Sequence, residues 1–219
     1  MRVWYKRGDK VFERTAAALK REFRRSRLTT KFDEINAFQF RSESKRLYRT
    51  ARKKIYDCFW EIAEYCYLSA VKEVGGEQDK AKLRKTWLDK LLSDYNSITK
   101  YVFDNEIERK RERFFESVIA SLEDKDRLAI EQEYTRARNL LTRQTQQYCI
   151  DVEDEAVKKA YKDFGVERVM WISQRDGKVC KVCAERNGAI YPIDAVPPKP
   201  HPNCRCTIKP IGKGRGLWS

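Results

Sequence analysis

Apolar positions recur at helical spacing through most of the chain. Phe12, Ala16, Leu19 and Phe23 lie 4, 3 and 4 residues apart and share one helical face. A longer series follows in Leu47, Ala51, Ile55, Cys58, Ile62 and Cys66, and Gly75-Gly76 behind it predicts a left-handed helix cap. Trp87, Leu91, Tyr95, Ile98 and Val102 mark a third face, and Phe114, Val118 and Leu122 a fourth. Asp124-Lys125-Asp126 reads either as a break or as a charged turn of a continuing helix. Leu128 to Phe164 then places Tyr134, Ala137, Leu141, Tyr148, Ala156, Ala160 and Phe164 inward. Proline is absent from residues 1–191 and glycine from 77–164, so nothing there interrupts long helices. A helix from Phe32 to Val74 would approach ~65 Å. Helices of that length, charged on their other faces, predict an elongated bundle open to completion by neighbouring subunits.

The period changes at Gly165. Val166 to Ser173 alternates as a strand does, with Val169, Trp171 and Ser173 on one face. Arg175 to Lys178 reads as a turn, and Asn187-Gly188 as a second turn carrying a strong hairpin signal. All six prolines and the single histidine fall in the last 28 residues. The expected fold is α+β and mainly α: an extended helical region over 1–165, a small β-rich module over 166–211, and a basic tail over 212–219. A module of that size needs something other than apolar burial to hold it together.

Composition narrows the class. The chain has 219 residues, 47 Lys and Arg against 33 Asp and Glu, and a formal charge of +14. Its 37% charged residues exceed the roughly 25% of ordinary globular chains, while 12% aromatic residues argue for a packed core. No apolar run of about 18 residues exists, and Met1 to Lys6 leads into no apolar core, so neither a membrane span nor a secretory leader is expected.

The chemistry concentrates near the C-terminus. Cys180-x2-Cys183 and His201-x2-Cys204-x-Cys206 offer five metal-ligand side chains in two short clusters. A structural zinc site takes four ligands, usually two from each of two tight turns. That symmetry favours Cys180, Cys183, His201 and Cys204. Cys206 is able to replace Cys204 or His201, because alternate residues of an extended segment share a face. A redox pair or disulfides are the competing readings, but no thioredoxin-like pattern surrounds the Cys pair. Cys58, Cys66 and Cys149 sit in helical segments and read as small buried hydrophobes. One histidine cannot serve both a metal and a catalytic set, and no phosphate-cradling loop precedes a helix, so no enzymatic activity is expected.

Basic residues are dense at 20–27 and at 109–113. The first run offers Arg24, Arg25 and Arg27 for sequence-independent phosphate contact. In the second, acidic and basic residues interleave as on a solvated helix face.

Trp171, Asp176-Gly177-Lys178-Val179-Cys180-x2-Cys183, Asn187-Gly188, Pro197-Pro198 and His201-Pro202-Asn203-Cys204-Arg205-Cys206 together resemble the phage head-morphogenesis family, Mu F-like minor head proteins. The resemblance covers about residues 135–208. The preceding helix departs from the family pattern, with Arg143-Gln144-Thr145-Gln146 where an Arg-Thr-Glu-like stretch is common. Membership would imply a structural minor head protein of a tailed bacteriophage or prophage. It would act inside the capsid near the portal during assembly and DNA packaging or ejection, in the host cytoplasm first and then in the virion. Its partners would be the portal protein, capsid or scaffold components in a multimeric context, and packaged DNA contacted without sequence preference, with no membrane. Cys180, Cys183, His201, Cys204 and Cys206 carry over as metal candidates, Trp171 as a buried anchor and Asp176 as a turn former. The alternative is a basic zinc-containing nucleic-acid-binding or regulatory protein of a mobile element, and a weaker third is a thiol redox protein.

Overall fold

The structure, a computed structural model, describes residues 3–77, 83–94, 102–174, 179–201 and 204–212, with side chains from residue 7 onward. It is mainly helical, with one small antiparallel sheet near the C-terminus. Five helices come first: α1 (Val3–Thr29), α2 (Ala37–Glu73), α3 (Lys85–Ser93), α4 (Phe103–Glu123) and α5 (Arg127–Asp163). Strand β1 (Arg168–Ile172), a short helix α6 (Lys181–Arg186), β2 (Ile190–Pro192), a 3-10 turn (Ile193–Ala195) and β3 (Thr207–Ile211) follow. No helix among the described residues is long and apolar enough to cross a membrane.

Helix boundaries follow from capping chemistry. The expected helix from Phe32 begins instead at Ala37, because Asn36 caps it. The Gln39 N–H donates to Asn36 Oδ1 at 2.9 Å and the Asn36 N–H donates to Gln39 Oε1 at 3.0 Å, a reciprocal capping box. At its other end Gly75 adopts φ 72°, as the Gly-Gly pair predicts. The Gly76 N–H reaches Val71 O and the Gly75 N–H reaches Lys72 O, which closes the last turn. A β-carbon on Gly76 would fall 2.2 Å from the Phe164 ring, so this turn also needs glycine for space. Gly165 (φ 73°) ends α5 with the same pair of hydrogen bonds, from Val166 to Tyr161 and from Gly165 to Lys162. The 124–126 stretch is a break: Lys125 takes the left-handed position at φ 54°, and Asp126 Oδ1 then accepts the Ala129 N–H to start α5.

The stripes are mostly core, with Leu122 and Phe164 half-buried at the ends of theirs and two series adjusted. All six members of the α2 series are buried, Cys58 and Cys66 included, and Cys149 is buried on α5. On α1 the buried face centres on Val11, Thr15, Leu19 and Phe23, one position round from the expected series, which leaves Phe12 and Ala16 on its flank. The third series is not one helix. Val102 is the extended residue that precedes α4, and Tyr95 and Ile98 lie outside the described residues.

The chain divides into two compact units, and the division falls inside α1, α2, α3 and α5. One unit comprises Lys10–Phe59 and Leu88–Tyr148. Its core is aromatic, with Phe114 edge-on to Tyr134 at 4.8 Å and Phe59 stacked on Tyr148 at 5.6 Å. The other comprises Met1–Asp9, Trp60–Trp87 and Cys149–Ser219, and it contains the sheet. There Tyr67 donates to Asp163 and Tyr161 to Glu73, both at 2.7 Å, tying the end of α2 to the end of α5.

The sheet order is β2-β1-β3, all antiparallel, with Trp171 opposite Ile208 and Val169 opposite Tyr191. Val169, Trp171 and Ser173 are buried on one face, as the alternation predicts. Asn187-Gly188 forms a turn, but it joins α6 to β2 and makes no two-stranded hairpin. Gly188 has φ 82°, and the Ala189 N–H closes on Arg186 O. The intervening six residues wind into α6 because Cys180 caps them, which the Cys pair alone did not announce.

Candidate metal centre

Four segments bring the thiols and the imidazole together. Cys180 ends the loop before α6, Cys183 lies in its first turn, His201 follows the proline-rich loop, and Cys204 and Cys206 precede β3. Cys183 is the member they share. Its Sγ lies 3.5 Å from Cys204 Sγ and 3.7 Å from His201 Nε2. Ligand atoms of Cys180, Cys183 and His201 lie within 4.8 Å of one another, as do those of Cys183, Cys204 and Cys206. Cys183, Cys204 and Cys206 are buried, and Cys180 and His201 partly so. Arg205 between the last two thiols is exposed, as the alternation of an extended segment requires. These groups are close enough to bind a metal ion. All seven cysteines are free thiols, and 3.5 Å is far from the roughly 2.05 Å of a disulfide.

The electrostatics divide the thiols. The Cys183 N–H donates to Cys180 Sγ at 3.4 Å, and this backbone donor lowers the Cys180 pKa. Burial pushes the Cys183 and Cys204 thiols up. Cys180 therefore gives up its proton more readily than the two buried thiols do. Loading such a cluster releases protons.

The surrounding shell is specific. Trp171 packs against Cys183, Cys204 and Cys206, so the anchor lies directly under the thiols. Ser173 Oγ donates to Cys183 O at 2.9 Å, and Asn187 Oδ1 accepts the Ser173 N–H at 2.9 Å. The Arg186 guanidinium donates to Pro198 O at 2.8 Å and lies over the Trp171 ring at 5.3 Å, which clamps the proline-rich loop to the site. Lys199, on the same loop, is partly buried, with its ammonium out of solvent against Asp154 of α5 at 2.6 Å. Burial opposes the Lys199 charge, but the adjacent Asp154 carboxylate outweighs it and raises the pKa. Arg186, Lys199 and Asp154 were not singled out from sequence. A lone lysine two residues before a histidine carries no pattern that distinguishes it from a surface lysine. Asp176 and the 175–178 turn, with Pro202 and Asn203, lie outside the described residues.

The dense basic run of α1, residues 20–27, lies in the other unit. Arg24 and Arg25 are exposed, whereas Arg27 pairs with Glu131 of α5. The fold and site together define a mainly helical protein whose small antiparallel sheet carries a thiol and imidazole cluster able to hold a metal ion. Compared with known proteins, the chain matches no family model, no curated protein and no solved structure.

Proposed function

We propose that this chain is a non-enzymatic, structural minor head protein of a tailed bacteriophage or prophage, whose C-terminal module folds around a structural zinc ion. The observation that carries the zinc reading is the position of Cys183 Sγ, 3.5 Å from Cys204 Sγ and 3.7 Å from His201 Nε2. Tetrahedral zinc with bonds of about 2.3 Å to sulfur and about 2.0–2.1 Å to nitrogen separates two sulfurs by ~3.8 Å, and a sulfur from a nitrogen by ~3.6 Å. Both separations match to within a few tenths of an ångström. Cys180, Cys183, His201 and Cys204 are the proposed ligands, with Cys206 beside them as the spare donor. The zinc would tie the loop before α6, the proline-rich loop and the approach to β3 into one unit, replacing the large core that so few residues cannot build.

Support for the head reading is that six described residues of the stretch resembling the head-morphogenesis signature gather here. Trp171, Cys180, Cys183, His201, Cys204 and Cys206 come from three separate stretches of sequence and meet around one side chain. On this reading the protein works in the capsid interior beside the portal, with portal, capsid or scaffold proteins as partners and packaged DNA contacted without sequence preference. The helical region, rich in exposed charge, supplies the surface for such assembly. A tagged chain expressed with the neighbouring structural genes of its own phage or prophage is expected to co-purify with portal-containing head particles. Recovery only as a free chain, bound instead to one operator-like DNA sequence, would favour the regulatory reading and overturn this one.

A further inference from the structure

The five donors of the metal centre fall into two triads that share one sulfur. Cys180, Cys183 and His201 form an outer triad and Cys183, Cys204 and Cys206 an inner one, each with its ligand atoms within 4.8 Å of one another. The two differ in chemistry and in access. The outer triad mixes sulfur with nitrogen, and Cys180 and His201 are half-buried, so an ion there keeps a side open to a further ligand. The inner triad is sulfur alone. Cys183, Cys204 and Cys206 are 1%, 2% and 4% exposed, and the buried Trp171 packs against all three. Among the described residues no carboxylate or imidazole belongs to it. A single zinc ion held by Cys180, Cys183, His201 and Cys204 leaves the buried Cys206 thiol without a role.

We propose that the centre has two ion positions bridged by the Cys183 sulfur, and that the inner one, formed by Cys183, Cys204 and Cys206, takes cuprous copper. Coordination number decides which ion fits. Zinc in a closed site takes four ligands, and the inner triad offers three with water shut out. Cuprous copper is soft, selects thiolate sulfur and is satisfied by three sulfurs in a plane. Cys183 Sγ and Cys204 Sγ already stand 3.5 Å apart, close enough for one ion to bridge them. The Lys199 ammonium interacts with Cys204 as well as with Asp154, which offsets part of the negative charge that three buried thiolates bring. In the zinc form one ion occupies the outer triad and draws in Cys204 as its fourth ligand. With cuprous ion in excess both positions fill with copper, and Cys206 turns from spare donor into ligand. This inference rests on the metal-centre reading and is independent of the minor head reading.

Anaerobic titration of the metal-free full chain with cuprous ion tests this, the ion being delivered from a coloured bicinchoninate complex whose bleaching counts the copper transferred. The parent chain is expected to take two cuprous ions, with X-ray absorption showing three-coordinate copper bound mainly by sulfur. Cys206→Ser is the discriminating variant. It is expected to keep one zinc per chain, which also shows that the module remains folded, while its copper capacity falls from two to one. Cys149→Ser, whose thiol belongs to neither triad, is expected to keep both coppers. Saturation of the parent at one copper would overturn the proposal, and so would two coppers in Cys206→Ser. Loss of zinc from Cys206→Ser would do the same, because Cys206 would then be a zinc ligand and no spare donor. A parent chain that takes two cuprous ions but no zinc would sink the zinc reading and leave this one standing. One zinc and a single copper would do the reverse.

Discussion

Replacing Cys183 by serine is expected to abolish metal binding and unfold residues 166–211, α6 included, while α1 to α5 remain. Cys183 is common to both groups of potential ligands, so its loss breaks each of them at once. Structural zinc in small domains supplies roughly 10–16 kcal/mol of apparent folding free energy at neutral pH, more than a three-stranded sheet can replace. Hydrogen exchange read at the amides of β1 and β3 detects the loss. Protection disappears there in Cys183→Ser but persists along α2 and α5. Cys149→Ser serves as the control, since that buried thiol on α5 belongs to neither group. It is expected to keep its metal and its exchange pattern. Full metal content in Cys183→Ser would remove the shared sulfur from the account.

The second large effect is expected at Asp154. Removing one partner of a buried ion pair costs about 3–5 kcal/mol, and for this largely buried pair about the lower end of that range is expected, because the remaining ammonium stays out of water without the group it touched. Asp154→Ala in the metal-loaded chain is therefore expected to lose that much stability in urea unfolding. The double variant with Asp154→Leu and Lys199→Met removes both charges at similar volume and is expected to recover most of the loss. A single variant within about 0.5 kcal/mol of the parent would mean that the pair is solvated and does not fasten the proline-rich loop to α5.

Periodicity carried most of the helical architecture. The α2 stripe from Leu47 to Cys66 is buried throughout, since a helix with its apolar residues on one face has only one way to bury them. The Gly75-Gly76 cap was equally legible, because a left-handed residue behind a long helix has few alternatives to glycine, whereas Gly165 announced only the change of period. Local polar chemistry was harder to read. Asn36 and Gln39 cap α2 by reciprocal hydrogen bonds that no apolar pattern encodes, so periodicity alone starts the helix too early. Lys125 holds a position that glycine or asparagine would have announced. On α1 the buried face turned by one residue because Val11, Thr15 and Ser26 pack inward, and two of these are polar.

The candidate site was legible for a different reason. Cysteine and histidine are scarce in this chain, so their spacing stands out even where secondary structure does not. The conversion of the Cys180 segment into a helix turn depended on a sulfur acting as cap, a weak acceptor that propensity ignores. The shell around the cluster was invisible for a related reason. Arg186, Lys199 and Asp154 are common residue types, and their partners lie 12 to 45 positions away or across elements. Only the fold brings them together.

Elemental analysis of the unmodified chain tests the central claim most directly, that the C-terminal module is organised by a metal ion. The account predicts about one zinc per chain, removed by a strong chelator with loss of exchange protection over Arg168–Ile172 and Thr207–Ile211, and restored on adding zinc. A metal-free chain that keeps its sheet, with a disulfide joining two of Cys180, Cys183, Cys204 and Cys206, would contradict it.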